Sequence, residues 1–116
     1  MAKEGTTRFY SDIQESEVAR KLGGIKSSNS GAGKFNKSDV KVELASLLIE
    51  CKTVITEKDS VSIKKEWLKK NKEEAFSQRL TNHCIAFNFG PYQNNYYIID
   101  EKLMRFLVDK LTEENE

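Results

Sequence analysis

Three residues of this 116-residue chain have the types and the spacing to hold a divalent cation beside an ammonium group: Asp39, Glu50 and Lys52. Residues 46–53 form an apolar run that ends in charge, which predicts a β-strand. Because side chains alternate along a strand, Glu50 and Lys52 point to one face and Cys51 points to the other, toward the core. Placing two charged side chains on one face at the end of a strand costs free energy, so their presence suggests a functional role.

The strand before this one is expected to run antiparallel to it. Residues 38–44 alternate polar and apolar side chains, and a tight turn after them would bring Asp39 next to Glu50. Two carboxylates, the backbone carbonyl of Cys51 and several waters would then complete an octahedral shell for Mg²⁺, with Mn²⁺ as a substitute. Lys52 would face the attacking water, or neutralise charge on a scissile phosphate.

Periodicity and the positions of glycine and proline divide the rest of the chain into elements. We expect, in chain order, a helix over 11–22, a loop over 25–37, strands over 38–44 and 46–53, a third strand within 54–63, a helix from 63 to about 80, strands over 83–89 and 96–99, and a helix after the N-cap Asp100. This order, αβββαββα, predicts one α/β domain over residues 1–116, with a mixed central β-sheet flanked by helices.

Composition excludes several classes of protein. Hydrophobic residues make up 38% of the chain and charged residues 32%, a balance typical of a folded domain and not of a disordered or collagen-like one. No apolar run approaches the roughly 20 residues that a membrane-spanning helix needs, so we expect a cytoplasmic protein with no membrane partner. Cys51 and Cys84 form no CxxC pair, which favours two buried thiols in a reducing compartment.

The charges are unevenly distributed. The net charge is +3 over residues 1–41, −2 over 42–60, +3 over 61–80 and −3 over 81–116. Basic segments on both sides of an acidic one are expected where a carboxylate-lined metal site sits among phosphate-facing lysines, although solvated helix faces give the same pattern. The candidate phosphate contacts are Ser30, Gly31, Lys34 and Lys37 in the Ser-Gly loop and Lys65, Lys69 and Lys72 on one face of the lysine-rich helix.

Ser38-Asp39, followed eleven residues later by Glu50-Cys51-Lys52 and preceded by a helix and a Ser-Gly loop, resembles the PD-(D/E)XK nuclease superfamily. The resemblance covers about residues 10–90. It is nearest to the Holliday-junction resolvase branch, and in particular to its small phage-encoded members, which would place the chain in the host cytoplasm. It implies a restriction-endonuclease-like core of order αβββαβ, to which this chain adds a C-terminal strand and helix.

The resemblance also implies an activity: Mg²⁺-dependent hydrolysis of phosphodiester bonds by a homodimer that prefers branched DNA. By position, Asp39 matches the first acidic ligand, Glu50 the second and Lys52 the motif lysine. Glu17 matches an acidic residue of the first helix that binds the metal directly or through water, and Ser30 matches a loop serine near the scissile phosphate. The chain departs from the motif in one place, where Ser38 replaces its proline.

Other interpretations remain open at this point. The same fold would suit a nuclease for linear or flapped duplexes, or a DNA-binding accessory protein without turnover. Glu17 also stands four residues before Lys21, a spacing that allows a solvated ion pair on the helix surface. The apolar stripe of the last helix, with Phe106 and Leu107, fits either a dimer interface or the core.

Overall fold

The chain folds into a five-stranded mixed β-sheet with three helices. A computed structural model describes residues 5–27 and 39–116. The elements are α1 (Thr7–Leu22), β1 (Ile25–Lys26), β2 (Asp39–Val42), β3 (Leu47–Lys52), α2 (Lys65–Ser77), β4 (Asn82–Phe87), β5 (Tyr96–Ile99) and α3 (Glu101–Glu114). The strands lie in chain order across the sheet, and β3 and β4 are parallel while every other neighbouring pair is antiparallel. The predicted α/β class and mixed sheet are therefore confirmed.

Helix α1 covers one face of the sheet. It begins earlier than the apolar pattern suggested because the side chain of Thr6 caps it and accepts a hydrogen bond from the Phe9 amide at 3.1 Å. It ends at Gly23, whose φ of 71° suits a residue without a side chain. At Gly24 a Cβ atom would lie 2.6 Å from Val40 Cγ1, so only glycine allows the chain to turn this closely onto the sheet.

The core fills both sides of the sheet. Between α1 and the sheet, the fully buried residues include Val18, Val40, Ile49, Cys51, Cys84 and Ala86. Both cysteines are free thiols in this layer, as their spacing predicted. On the opposite face Leu48 and Ile85 are buried on the sheet, and Ala75 is buried on α2. The strand that carries the candidate site is thus fixed from both faces by burial.

Two predictions about strands are wrong. Ile25 and Lys26, assigned to a loop, form the edge strand β1 opposite Lys41 and Val40. Residues 54–63, expected to hold a third strand, form no strand. The reason is positional: β3 already has β2 on one side and β4 on the other, so a strand leaving β3 has no free neighbour to pair with.

The buried face of α2 also differs from the expectation. The apolar residues Ile63, Trp67, Leu68, Ala75 and Phe76 have the spacing of one buried helix face, but Phe76 is 84% exposed and Leu68 is also exposed. The inward positions are held by Trp67, which is half-buried, and by Asn71 and Ala75, each 1% exposed. Because Asn71 is polar, the hydrophobic pattern assigns this helix a wrong phase.

Helix α3 begins as predicted at Asp100, whose side chain accepts a hydrogen bond from the Leu103 amide at 2.9 Å. None of its residues is buried. Met104, Leu107, Val108 and Leu111 form an apolar stripe, hereafter the α3 stripe, with 41–59% of each residue exposed. The stripe is therefore not part of the core of this chain. In the described part of the chain, no helix has the length and apolar character to cross a bilayer.

Candidate metal centre

The two candidate carboxylates lie side by side. Asp39 on β2 is the direct cross-strand partner of Glu50 on β3, as the hairpin predicted. Asp39 is 4% exposed, and the side chain of Glu50 is 14% exposed. Like charges directly opposite each other in a sheet are destabilising, and burial increases that cost. A pair of this kind is expected where a cation compensates the repulsion.

Lys52 supplies the nearest positive charge. Its Nζ lies 2.9 Å from Glu50 Oε2, on the same face of β3. It also lies 4.7 Å from the centroid of the Trp67 ring, within the range of a cation–π interaction. Helix α2 thus holds the ammonium from one side and the strand holds it from the other, so that it is positioned before any ligand binds.

The second oxygen of Glu50 is left for another partner. Glu50 Oε1 is buried and accepts no hydrogen bond from any residue that the structure describes. An unsatisfied carboxylate oxygen costs free energy, and a hard cation is the partner that best offsets it. Among the described residues no group of three or more His, Cys, Asp or Glu side chains is arranged to hold a metal. An ion here would therefore rely on two carboxylates, a carbonyl and water.

Of the two glutamates on α1, Glu15 is the one that lies inside the protein. Its side chain is 1% exposed, and its Oε2 lies 4.0 Å from Arg8 Nη1. Burial raises the pKa of the Cys51 thiol, and the charges of Glu15 and Asp39 raise it further. Glu15 is a residue that the sequence analysis did not single out.

Glu17 lies at the surface. Its Oε1 is 3.1 Å from Arg20 Nη2 and 3.3 Å from Lys21 Nζ, and hydrogen bonds from these two side chains lower the pKa of the Glu17 carboxyl. The predicted i,i+4 pair with Lys21 is therefore present. The structure does not bring Glu17 to Asp39 and Glu50, and its metal role remains a prediction.

The backbone at the end of β3 is tied to α1 by a buried amide. Gln14 is 3% exposed, and its Nε2 donates hydrogen bonds to the Lys52 carbonyl at 2.8 Å and to Asn95 Oδ1 at 3.0 Å. Cys51 faces the core as alternation predicted, and its carbonyl remains a predicted ligand. Gln14 and Trp67 support the site, but nothing in their sequence positions distinguishes them from surface or core residues.

The candidate DNA contacts fall into two groups. Lys65, Lys69 and Lys72 are all exposed on α2, and their common face is opposite to the buried face at Asn71 and Ala75. Ser30, Gly31, Lys34 and Lys37 lie outside the described residues, which resume at Asp39. The loop predictions therefore stay predictions.

The single histidine does not belong to this group of residues. His83 on β4 pairs with Leu48, and its Nε2 lies 3.6 Å from Asp100 Oδ2 at the start of α3. Burial is the main cause that lowers the pKa of its imidazole.

Comparison of the chain with family models, with curated proteins and with solved structures finds no match in any of the three. The residues and their geometry therefore carry the functional argument.

Proposed function

We propose that this protein is a Mg²⁺-dependent, structure-specific endodeoxyribonuclease of the Holliday-junction resolvase type. The observation that carries the proposal is the cross-strand pair of Asp39 and Glu50, with the Lys52 ammonium 2.9 Å from Glu50 on the same face. Two adjacent carboxylates, one buried and one partly buried, and a pre-positioned amine are the groups that metal-assisted phosphodiester hydrolysis requires.

The donor set suits a hard divalent cation. Asp39 and Glu50 offer oxygen ligands only, and Glu50 Oε1 is buried with no hydrogen-bond donor among the described residues. The two cysteines are excluded as ligands because both face the α1 side of the sheet and burial raises the pKa of Cys84 to about 12. A soft-metal site is therefore not the alternative here, and Mg²⁺ or Mn²⁺ fits best.

The chain's own residues would divide the chemistry between them. Mg²⁺, when bound, would polarise the phosphate and lower the pKa of a coordinated water. Asp39 and Glu50 hold the charge that binds the ion, and Lys52, fixed by Glu50 and Trp67, orients the attacking water or neutralises the phosphate oxygens. Water attacks phosphorus in line, the bond from phosphorus to the 3′ oxygen breaks, and the products are a 5′-phosphate and a 3′-hydroxyl.

The topology agrees with the resemblance that suggested this activity. The first six elements, α1 to β4, follow the order αβββαβ, and β5 and α3 are the added C-terminal strand and helix. The three antiparallel strands are followed by a helical crossover, and Asp39 and Glu50 are paired on the interior strands β2 and β3 of the sheet. This order supports a restriction-endonuclease-like core for the chain.

DNA and a second copy of the chain are the proposed partners. Lys65, Lys69 and Lys72 present three ammonium groups to solvent on the helix that also holds Lys52 through Trp67, so they are suited to contact phosphates beside the metal centre. Resolving a four-way junction takes two symmetric nicks, and one chain offers one site. The exposed α3 stripe is the surface we assign to the dimer contact.

The experiment that tests the proposal is cleavage of a synthetic four-way junction in Mg²⁺ and in EDTA. We expect cleavage in Mg²⁺ only, and a loss of about 10²-fold or more for Asp39→Asn and for Lys52→Ala. Asp59→Asn and Lys58→Ala are matched controls, because both residues are exposed and lie outside the site. Flapped and linear duplexes, run beside the junction, separate a resolvase from a nuclease of other substrates.

The result that would overturn the proposal is equally specific. Cleavage that persists in both folded site variants would exclude this site, since the controls establish the effect of an equivalent change elsewhere. Salt-sensitive DNA binding that ignores Mg²⁺, without cleavage of any substrate, would instead identify a binding protein.

A further inference from the structure

A polar pocket lies at the end of β3 that bears Lys52, on the α1 side of the sheet and therefore on the face opposite to the side chains of Glu50 and Lys52. It has a volume of about 270 Å³ and is formed by α1, the carboxyl ends of the parallel strands β3 and β4, and the segment before β5. Its lining includes Tyr10, Gln14, Thr53, Asn88, Asn94 and Asn95. We call it the amide pocket. In α/β sheets, ligands bind at the carboxyl ends of parallel strands, which is where this pocket opens.

The walls of the amide pocket carry in-plane donors and acceptors and little net charge. Thr53 Oγ1 donates to Asn88 Oδ1 at 2.8 Å, and Gln14 Nε2 donates to Asn95 Oδ1 at 3.0 Å. Glu17, the acid at the rim, is paired with Lys21 at 3.3 Å. A phosphate or a metal ion would find no unpaired charge among these groups, whereas an uncharged ligand with both donors and acceptors would.

One acceptor in the pocket has no partner. Gln14 is 3% exposed and lines the pocket, and its Nε2 is engaged with the Lys52 and Ala86 carbonyls as well as with Asn95. Its Oε1 is buried and accepts no hydrogen bond from the described residues. A buried amide oxygen of this kind lacks a donor, and a small turn of the Gln14 amide toward the pocket would let it accept a hydrogen bond from a ligand N–H group.

The mouth of the pocket is aromatic. The rings of Tyr10 and Tyr92 meet edge to face with centroids 5.9 Å apart, and Tyr92 is 70% exposed. Tyr92 also has a φ of 64°, in the left-handed region that a bulky residue seldom adopts. An exposed ring held in this way offers a flat surface to a planar ligand.

We propose that the amide pocket receives an unpaired nucleobase of the branched DNA, at the end of the strand that carries Glu50 and Lys52. The inference rests on the proposed function and adds a substrate feature to it. Amide side chains pair with the hydrogen-bonding edges of bases, and aromatic rings stack on their faces. The pocket is linked to the metal centre through Thr53, which follows Lys52, and through the hydrogen bond from Gln14 to the Lys52 carbonyl.

A base at a branch point suits this pocket better than a base in a continuous duplex. Extruding a base costs unstacking energy, and that cost is smallest where pairing is already interrupted. The pocket would therefore contribute to structure selectivity, because a perfect duplex pays the full cost before its base can reach Gln14.

The test is an abasic scan of the junction. Equilibrium binding is measured in EDTA with four-way junctions that lack one base at each position around the crossover in turn. For the wild-type protein we expect one position at which removal of the base weakens binding by about fivefold or more. Tyr92→Ala should weaken binding to the intact junction by a similar factor. Removal of the base at that position should weaken binding of this variant no further, because the base and the ring act as one interaction.

Phe76→Ala is the control variant, since Phe76 is an exposed aromatic residue on α2 and does not line the pocket. It should respond to the scan as the wild type does. Equal losses of binding affinity at all positions, or losses in Tyr92→Ala that add to those of base removal, would overturn the base pocket. In that case, Mg²⁺-dependent junction cleavage by the same protein would leave the proposed function standing. A chain that neither binds nor cleaves the junction would overturn both.

Discussion

Glu15 and Glu17 are nearly equivalent in the sequence but differ in burial. Glu15 is 1% exposed and acts on the thiol of Cys51, while Glu17 is held at the surface by Arg20 and Lys21. The charge of Glu15 reaches Cys51, the neighbour of Glu50 in the chain, and would therefore add to the attraction for a divalent cation there. We infer that Glu15, and not Glu17, is the α1 residue that supports metal binding.

This difference predicts opposite results for two matched substitutions. Glu15→Gln should weaken Mg²⁺ activation of junction cleavage by about 10-fold, because it removes a buried negative charge that would attract the cation. Glu17→Gln should leave it nearly unchanged, because it removes solvent-exposed ion pairs. The Mg²⁺ concentration for half-maximal cleavage is the quantity to measure, with urea unfolding to verify that both variants fold. A selective effect of Glu17→Gln would restore the motif assignment.

The sequence predicted some residues of the site and not others for a physical reason. Asp39, Glu50 and Lys52 could be placed together because strand alternation and a tight turn fix their relative positions locally. Glu15 could not, because the buried face of α1 includes the polar Gln14 as well as Val18, so the hydrophobic pattern gives no helix phase. Trp67 reaches Lys52 only through the packing of α2 on the sheet.

Helix α2 performs two tasks with opposite faces. On its inner face Trp67 lies against the Lys52 ammonium and Asn71 is buried, while Lys65, Lys69 and Lys72 on its outer face meet solvent. Exposed lysines without a fixed partner suit the backbone of DNA, which is recognised by charge and not by sequence. The helix would thus connect phosphate binding directly to the amine of the metal centre.

Salt dependence tests the outer face of α2. Each of Lys65→Ala, Lys69→Ala and Lys72→Ala should weaken junction binding uniformly and reduce the slope of log K against log salt by about 0.9, because one phosphate contact is lost. Lys70→Ala is the control, since Lys70 is an exposed lysine of the same helix outside this set. Equal slopes for Lys70→Ala and the three set variants would show that α2 does not track the DNA backbone.

The strands show where local patterns fail. Tyr96–Ile99 forms β5 with the predicted bounds, because a turn at Pro91 separates it from β4, which ends at Phe87, and Asp100 starts the next helix. Residues 54–63 carry a weaker pattern, and their pairing partners were already taken by β2 and β4. Strand Ile25–Lys26 is only two residues long, and it forms because Gly24 allows α1 to lie close to Val40. Both outcomes depend on the whole sheet and not on local sequence.

At the scale of the whole molecule, two features of the described residues bear on assembly: the candidate metal centre and the exposed apolar face of α3. The α3 stripe leaves four apolar side chains exposed, and apolar groups aligned on one helix face commonly mark an interface. A symmetric dimer would cover this face with the same face of a second copy. It would also supply the second metal centre that paired nicking needs.

Light scattering coupled to size-exclusion chromatography tests the dimer. The wild-type chain should have twice the mass of one chain, and Leu107→Lys should shift it to the monomer, because a charge is placed in the middle of the α3 stripe. Asp109→Lys introduces the same residue on the polar side of α3 and should remain dimeric. A wild-type monomer at all concentrations, or dissociation by both variants alike, would remove α3 as the contact.

A crystal soaked in Mn²⁺ tests the metal centre most directly. Anomalous scattering should locate an ion with carboxylate oxygens of Asp39 and Glu50 at about 2.2 Å, near the upper end of the range for small hard cations. The same soak of an Asp39→Asn crystal should show no ion at that place. Mn²⁺ bound elsewhere would contradict a metal centre built from this strand pair. The same conclusion would follow if no ion were found at these carboxylates while the protein still cleaves DNA with Mn²⁺.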